Sequence, residues 1–184
     1  MRPRYQKFVF AILLSLIVAP FAVLAHSGPA GSALSAVEQQ VRHEILMLPF
    51  LGVFDHPTFR VEGSKVILGG EVYRPSMKKS IERAIAKVDG VESIENNIEV
   101  LPTSPHDDAI RRRLLRAIYR HPALDRYGLS AQPRILIIVK NGDVTLEGVV
   151  NREMEKTIAT HQAHRVPGVF SVTNNLKVEV PSKS

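Results

Sequence analysis

The sequence predicts an α+β protein built from two tandem αββαβ modules, each a three-stranded mixed sheet with two helices on one face. Three observations predict it: an internal repeat, an amphipathic helix on either side of the repeat's strands, and a hairpin signature inside each copy. Shifting the chain by 78 positions, from Gly63 to Asn141, lays 63–100 over 141–178 without a gap. Identical pairs include Val66/Val144, Leu68/Leu146, Gly70/Gly148, Val72/Val150, Val88/Val166, Gly90/Gly168, Asn96/Asn174 and Asn97/Asn175. A run of matches at one fixed offset is the mark of duplication. Each unit is near the smallest size that folds alone, about 60 residues, so the two are expected to lean on each other.

The N-terminus reads as a targeting segment. Arg2, Arg4 and Lys7 form a basic region, 8–25 is almost wholly apolar, and Val23-Leu24-Ala25 offers a cleavage site before Ser27-Gly28-Pro29. Residues 1–25 are therefore expected to be a secretory signal, with 26–33 a flexible start to the mature chain. The rival reading is an uncleaved anchor, but the run is at the short end of the about 17–25 residues that span a bilayer. Pro20 also interrupts it. No later stretch is apolar enough to span. Removing the signal's three basic residues from the 24 Lys+Arg leaves 21 against 18 Asp+Glu, a mild net +3. The basic balance is thus weak evidence for nucleic acid, and export argues against it. The chain has no cysteine. That excludes disulfides, thiolate metal sites, a cysteine nucleophile and the acylated cysteine of a lipoprotein. The expected location is the periplasm, peripheral to a membrane or free of one.

Module 1 is expected over 34–101. Ser35-Ala36-Val37-Glu38 has the capping-box form, and Val37, Val41, Ile45 and Leu48 make one apolar stripe that Pro49 ends. Module 2 is expected over 106–180, after a stiff linker at 102–105 and before a tail at 181–184. Its helix opens with Ser104 as cap, Pro105 at the first helical position and Asp107 in the first turn. Ile110, Leu114, Ala117 and Ile118 form its stripe, and Pro122 ends it.

A hairpin follows in each copy. Asn141-Gly142 between β-rich runs is the strongest short-range hairpin signal, because both turn positions need positive φ. Gly63-Ser64 suits a related tight turn. The second strand alternates through Val66, Leu68, Gly70 and Val72, and through Val144, Leu146, Gly148 and Val150. A glycine on the apolar face of both copies points to a close backbone approach. Met77, Ile81, Ala84, Ile85 and Val88 make the second helix of module 1. Ile158, Ala159, Ala163 and Val166 do so in module 2, with Asn151 a candidate cap. Gly90 and Gly168 are expected to stop these helices in the left-handed position. A last strand then runs through 91–100 and 169–180, with Asn97 and Asn175, beside Asn96 and Asn174, capping backbone groups where it starts.

These residues resemble a known family. "SKVILGGEV" and "GDVTLEGVV", each followed by a helix and then V-x-G-V-x-x-V/I-x-N-x-L/I-x-V, are similar to the BON domain. That family occurs in tandem in osmotically induced periplasmic proteins and outer-membrane lipoproteins. The resemblance implies a non-enzymatic, cofactor-free module that associates with phospholipid and supports the envelope under stress. The motif residues Gly70, Gly90, Asn97, Gly148, Gly168 and Asn175 read as structural. Module 1 departs from module 2 in "LPFLGVFDHPTFRV", which is more apolar than its counterpart.

Two stretches are candidates for contact with a partner. Arg111, Arg112, Arg113, Arg116 and Arg120 gather on the first helix of module 2, with Tyr119 among them. Arginine forks bind phosphate oxygens in pairs of contacts, so this face is expected to meet anionic phospholipid headgroups. A plain solvated face is the alternative. Phe50, Leu51 and Phe54 form the second candidate, a loop for lipid or a protein partner; the alternative is that Phe50 and Phe54 plug the core or the seam between modules. His161 and His164 share a helix spacing, but no third ligand is evident, so no metal is expected. There is no G-x-S-x-G elbow, no H-E-x-x-H and no phosphate loop. An enzyme, a small-molecule substrate and nucleic acid are accordingly not expected. Another envelope protein, or a second copy, is the alternative partner to lipid.

Overall fold

Both copies use the same order of elements, and the order follows from local chemistry. In the computed structural model, which describes residues 35–129 and 132–179, module 1 opens with helix α1 (Ala36–Leu46). The Ser35 hydroxyl accepts from the Glu38 amide and the Glu38 carboxylate accepts from the Ser35 amide. Strands β1 (His56–Glu62) and β2 (Lys65–Val72) form an antiparallel hairpin, helix α2 (Pro75–Ile85) follows, and β3 (Ser93–Asn96) and β4 (Glu99–Val100) return parallel to β2. Module 2 repeats this with α3 (Pro105–Tyr119), β5 (Ile135–Lys140), β6 (Asp143–Val150), α4 (Glu153–His164), β7 (Ser171–Asn174) and β8 (Lys177–Val178). The central strand of each sheet is β2 or β6, and the expected α+β class holds. The signal, the flexible start and the tail expected at 1–25, 26–33 and 181–184 lie outside the described residues.

The inward face of each sheet carries the expected alternation. Val66, Leu68 and Val72 bury against Val41 and Ile45 of α1 and Met77, Ile81 and Ile85 of α2. Val144, Leu146 and Val150 bury against Ile110, Leu114, Ile118, Ala159 and Ala163. The shared glycines have the expected cause. Gly70 (φ +79°) and Gly148 (φ +117°) lie where an added Cβ would sit 2.0 Å from the carbonyl oxygens of His56 and Arg134. At the hairpin turns, Asn141 and Gly142 are both left-handed (φ 55° and 85°), whereas in module 1 Gly63 alone is (φ 62°). Two successive positive φ values mark the module 2 turn as type I′, a feature the module 1 turn does not share.

Three expectations need correction. The last strand is not continuous: it breaks at Asn97–Ile98 and at Asn175–Leu176. The Asn96 Oδ1 accepts from the Ile98 amide at 3.2 Å, and Asn174 Oδ1 from the Leu176 amide at 2.9 Å. This side-chain turn interrupts the strand, although the Asn97 and Asn175 amides still donate to the Leu68 and Leu146 carbonyls, and it places Ile98 and Leu176 in the cores. Second, Gly90 and Gly168 are left-handed but do not cap the helices. α2 ends at Ile85 and α4 at His164, and the glycines shape the turns that follow. Third, Asn151 is not the cap of α4. That position is Arg152, and the Glu155 carboxylate reaches back to the amides of both Asn151 and Arg152.

Residues Leu34–Ser184 cluster as one unit, and the seam between modules runs along β5. Alternate residues of an edge strand aim main-chain groups outward, and on β5 these are met one by one. The Tyr119 hydroxyl donates to the Ile135 carbonyl, the Ile137 amide donates to the Val53 carbonyl of module 1 at 2.8 Å, and Arg111 donates to the Val139 carbonyl. Lys140 pairs with Glu99 across the same seam. An edge so covered is closed to other strands. Among the described residues, no hydrogen bond covers the outer edge of β1, the equivalent strand of module 1.

Candidate functional site

Helix α3 is tied to the rest of module 2 by several side-chain bonds. Ser104 Oγ accepts from the Asp107 amide at its N-terminus. Asp107 itself is fully buried, and its two carboxylate oxygens accept from the amides of Asn141 and Gly142 at 2.9 Å each. One side chain thereby ties the helix to the β5–β6 turn. Arg113 Nη1 donates to the Pro167 carbonyl at 3.1 Å and ties the same helix to the α4–β7 turn. Ile110, Leu114 and Ile118 fill the core beneath.

The outer face carries cations. Arg112, Arg113, Arg116 and Arg120 are all exposed. Among the described residues no acidic group pairs with any of them. Aligning the two helices by their caps, Ser35 on Ser104, puts His43, Glu44 and Met47 where module 2 has Arg112, Arg113 and Arg116. The cationic face belongs to one copy of the duplication.

Two residues expected on this face are elsewhere. Arg111 is 1% exposed. Its guanidinium bonds Asp108 at 2.7 Å and the Val139 carbonyl, and it lies 4.9 Å from the centre of the Tyr73 ring of module 1. Its place is set by period: Asp107, Arg111, Leu114 and Ile118 fall at i, i+4, i+7 and i+11, along the inward stripe. Tyr119 lies against Gly128 and the module 2 core and donates to the Ile135 carbonyl. Burial pushes its phenol well above the ordinary value of 10.0. Arg111 braces the seam and Tyr119 braces β5 from within its own module, so neither belongs to the exposed arginine stripe.

The loop candidate also divides. Phe54 packs on the core of module 2 and stands edge-on to Tyr73 at 5.9 Å, and Leu51 packs on the core of module 1. These two form a plug in the seam, the alternative to a partner-binding loop. Phe50 is 75% exposed, in a left-handed conformation (φ 71°), with Arg74 over its ring and bonded to its carbonyl. Beside the plug lies an apolar groove lined by Ile45, Leu51, Pro57, Pro133 and Leu136. Its buried carboxylate, Asp55, is already engaged by the Gly52 and Tyr73 amides at 2.9 and 2.8 Å.

Of the paired asparagines, the first of each pair binds helix to strand. Asn96 Nδ2 donates to the Lys78 carbonyl and to Glu82, and Asn174 Nδ2 to the Lys156 carbonyl and Thr160. Asn97 and Asn175 bond the side chains of Glu95 and Glu147. His161 and His164 are both exposed, and no group of three metal-binding side chains occurs among the described residues. Sequence reasoning missed a polar cluster in module 2. Tyr127, carried by a short 3-10 helix (Asp125–Gly128), donates to Glu155 at 2.6 Å and accepts from the Asn151 amide, and Arg126 pairs with Glu155. Module 1 has Met77 at the position of Glu155. A glutamate in place of a buried methionine is the signal that could have found it. Every member is engaged within the fold, so the cluster holds the module together.

Comparison with known proteins agrees with this picture at the level of family. The sequence profile of the BON domain matches residues 34–102 and 106–180. Comparison with curated proteins finds no match. Among solved structures, CdsD, a structural protein of the Type III secretion system of Chlamydia trachomatis, is 12% identical with a TM-score of 0.28, over 75% of this chain and 90% of that one. Its C-terminal domain is 13% identical with a TM-score of 0.28, over 80% of this chain and 99% of that one. BON domains are non-catalytic and are associated with envelope and phospholipid-binding proteins. With the profile matched twice over most of its length, the chain belongs to the BON domain family.

Proposed function

We propose that this protein is a non-enzymatic, exported envelope protein whose second BON module docks on anionic phospholipid through the outer face of α3. The observation that carries the reading is the set of arginines at 112, 113, 116 and 120, exposed and, among the described residues, without a carboxylate partner, on a helix anchored at its base. Arginines that no described carboxylate pairs are available to phosphate oxygens. No described helix is long and apolar enough to cross a membrane; on this reading α3 meets the headgroups from the side of its exposed face. Each basic residue at an anionic surface contributes about 1 kcal/mol, and salt screens it. Support for the envelope under osmotic or related stress is the role such a contact serves.

The test is co-flotation with vesicles. The processed protein is expected to float with anionic vesicles at low salt, to release as salt rises, and to ignore neutral ones. Reversing Arg112, Arg116 and Arg120 to Glu is expected to weaken binding at least about a hundredfold, at about 1 kcal/mol for each residue. Undiminished flotation of that variant rejects the α3 face.

A second reading is favoured by the uncovered outer edge of β1. An open strand edge accepts another strand, so module 1 would bind another envelope protein or a second copy. Crosslinking in the periplasm that yields one dominant adduct, without dependence on lipid, would select it.

A further inference from the structure

We infer that Phe170 is the apolar anchor of the same surface, seated among lipid acyl chains while the arginines of α3 hold the headgroups; this rests on the phospholipid reading above. Phe170 is 89% exposed, the most exposed of the large hydrophobic residues described. It stands in the turn between α4 and β7, and that turn is fixed. The Phe170 amide donates to the Gly142 carbonyl at 2.9 Å, and Val169 packs on the module 2 core. An added Cβ on Gly168 would lie 3.2 Å from His106 Cε1 and 3.4 Å from Ile110 Cγ1, so the turn rests on the first turns of α3. The Arg113–Pro167 bond fastens it to the arginine helix. The exposed ring and the arginine stripe are therefore carried by one rigid piece.

The duplication supplies the comparison. At the position of Phe170, module 1 has Glu92, whose carboxylate accepts from the Ser64 hydroxyl at 2.8 Å. Module 1 also lacks the arginines, with His43, Glu44 and Met47 in their place. The two substitutions that suit an anionic interface, cations on the helix and an aromatic ring on the adjoining turn, occur in the same copy. Cations at the headgroups with an apolar group a few ångströms deeper is the arrangement of interfacial binders. The occupant that fits both halves is an anionic lipid surface, since the cations call for negative charge and the ring calls for an apolar layer beside it.

The chain has no tryptophan, so Phe170→Trp introduces a single indole. The processed variant is mixed with phosphatidylglycerol-containing vesicles at low salt. The expected result is flotation together with a blue-shifted emission that brominated acyl chains quench. Phe50→Trp, exposed on module 1, is expected to show neither blue shift nor quenching. Phe170→Glu, which copies module 1, is expected to reduce vesicle partition about tenfold to a hundredfold, from the apolar area of one phenyl ring, with an unchanged melting temperature. Flotation with unshifted, unquenched emission at 170 overturns the anchor and leaves the docking reading standing. A shift at 50 in place of 170 overturns it also. Absence of flotation for the wild-type chain overturns both.

Discussion

Replacing Arg111 is the sharpest way to ask whether the two modules support each other. Its guanidinium is buried, bonds Asp108 and the Val139 carbonyl, and lies 4.9 Å from the centre of the Tyr73 ring across the seam. Arg111→Ala leaves the Val139 carbonyl without that donor in a dry place, a cost of about 1–3 kcal/mol. It also removes a desolvated cation–π interaction of about 2 kcal/mol and the packing of the aliphatic stem. One effect opposes these: Nε of Arg111 is buried without a partner, so its desolvation is relieved. The balance is a loss of about 3–5 kcal/mol, the range for removing one member of a buried charged pair. For a unit of this size that lowers the melting temperature by roughly 6–20 °C. Arg111→Met keeps the packing and is expected to cost about half as much.

The assay is a double-mutant cycle with Tyr73→Leu, read by urea unfolding. A coupling of about 1–2 kcal/mol is expected if the ring and the guanidinium act together. Strict additivity, or a loss under about 1 kcal/mol for Arg111→Ala, would refute the argument. It would mean that the ring and the buried cation do not act together and that the seam rests on its other contacts, among them Val53, Phe54 and the Lys140–Glu99 pair.

Other outcomes follow from single groups. Gly148→Ala meets both a left-handed φ and the Arg134 carbonyl, so it is expected to cost about 3 kcal/mol or more; Gly63→Asn, in open space with the φ that Asn141 adopts, is expected to leave the melting temperature within a few degrees. Asn174→Ala removes both the strand turn and the bonds to α4 and is expected to cost about 2 kcal/mol. Asn175→Ala is expected to cost less than about 0.5 kcal/mol, and denaturant midpoints compare the two. Tyr119 is held protonated by burial, so its stabilising effect is full below its ordinary value of 10.0 and fades as pH rises above it. Alkaline unfolding of the wild type should therefore steepen above that pH, and Tyr119→Phe should flatten it.

How much of the structure is legible in the sequence depends on which force places each residue. The repeat, the caps at Ser35 and Ser104, the hairpin turns and the glycines at 70 and 148 are local or periodic, and each appears where its pattern indicates. Arg111 shows the opposite case. Its spacing from Leu114 and Ile118 puts it on the inward stripe, its charge suggests solvent, and the spacing is the better guide. What lets an arginine be buried there is non-local: a carbonyl of β5 and a tyrosine of the other module, neither within its own helix. Arg42, its counterpart on α1, has no module against it and remains exposed over Phe59. The break in the last strand is hidden for a related reason. Asn96-Asn97 reads as one polar pair, and only the helix beside it distinguishes the asparagine that locks from the one that faces water.

Duplication makes each module a control for the other, and the differences sort by location. Several residues that both copies keep, among them Gly70 and Gly148, Gly90 and Gly168, Asn96 and Asn174, serve the fold. Residues peculiar to module 1, including Val53, Phe54 and Tyr73, turn toward module 2 and close the edge of β5. Those peculiar to the surface of module 2, Arg112, Arg113, Arg116 and Phe170, are exposed, and among the described residues the arginines have no carboxylate partner. One copy thus uses its divergent residues for bracing and the other for presentation. A brace is useful only if the presented surface meets something that pulls on it, and a cationic helix beside an exposed ring is suited to an anionic, layered surface. On this logic, loosening the seam at Arg111 should weaken vesicle binding less than reversing the α3 stripe, because the stripe touches the lipid and the seam only steadies it.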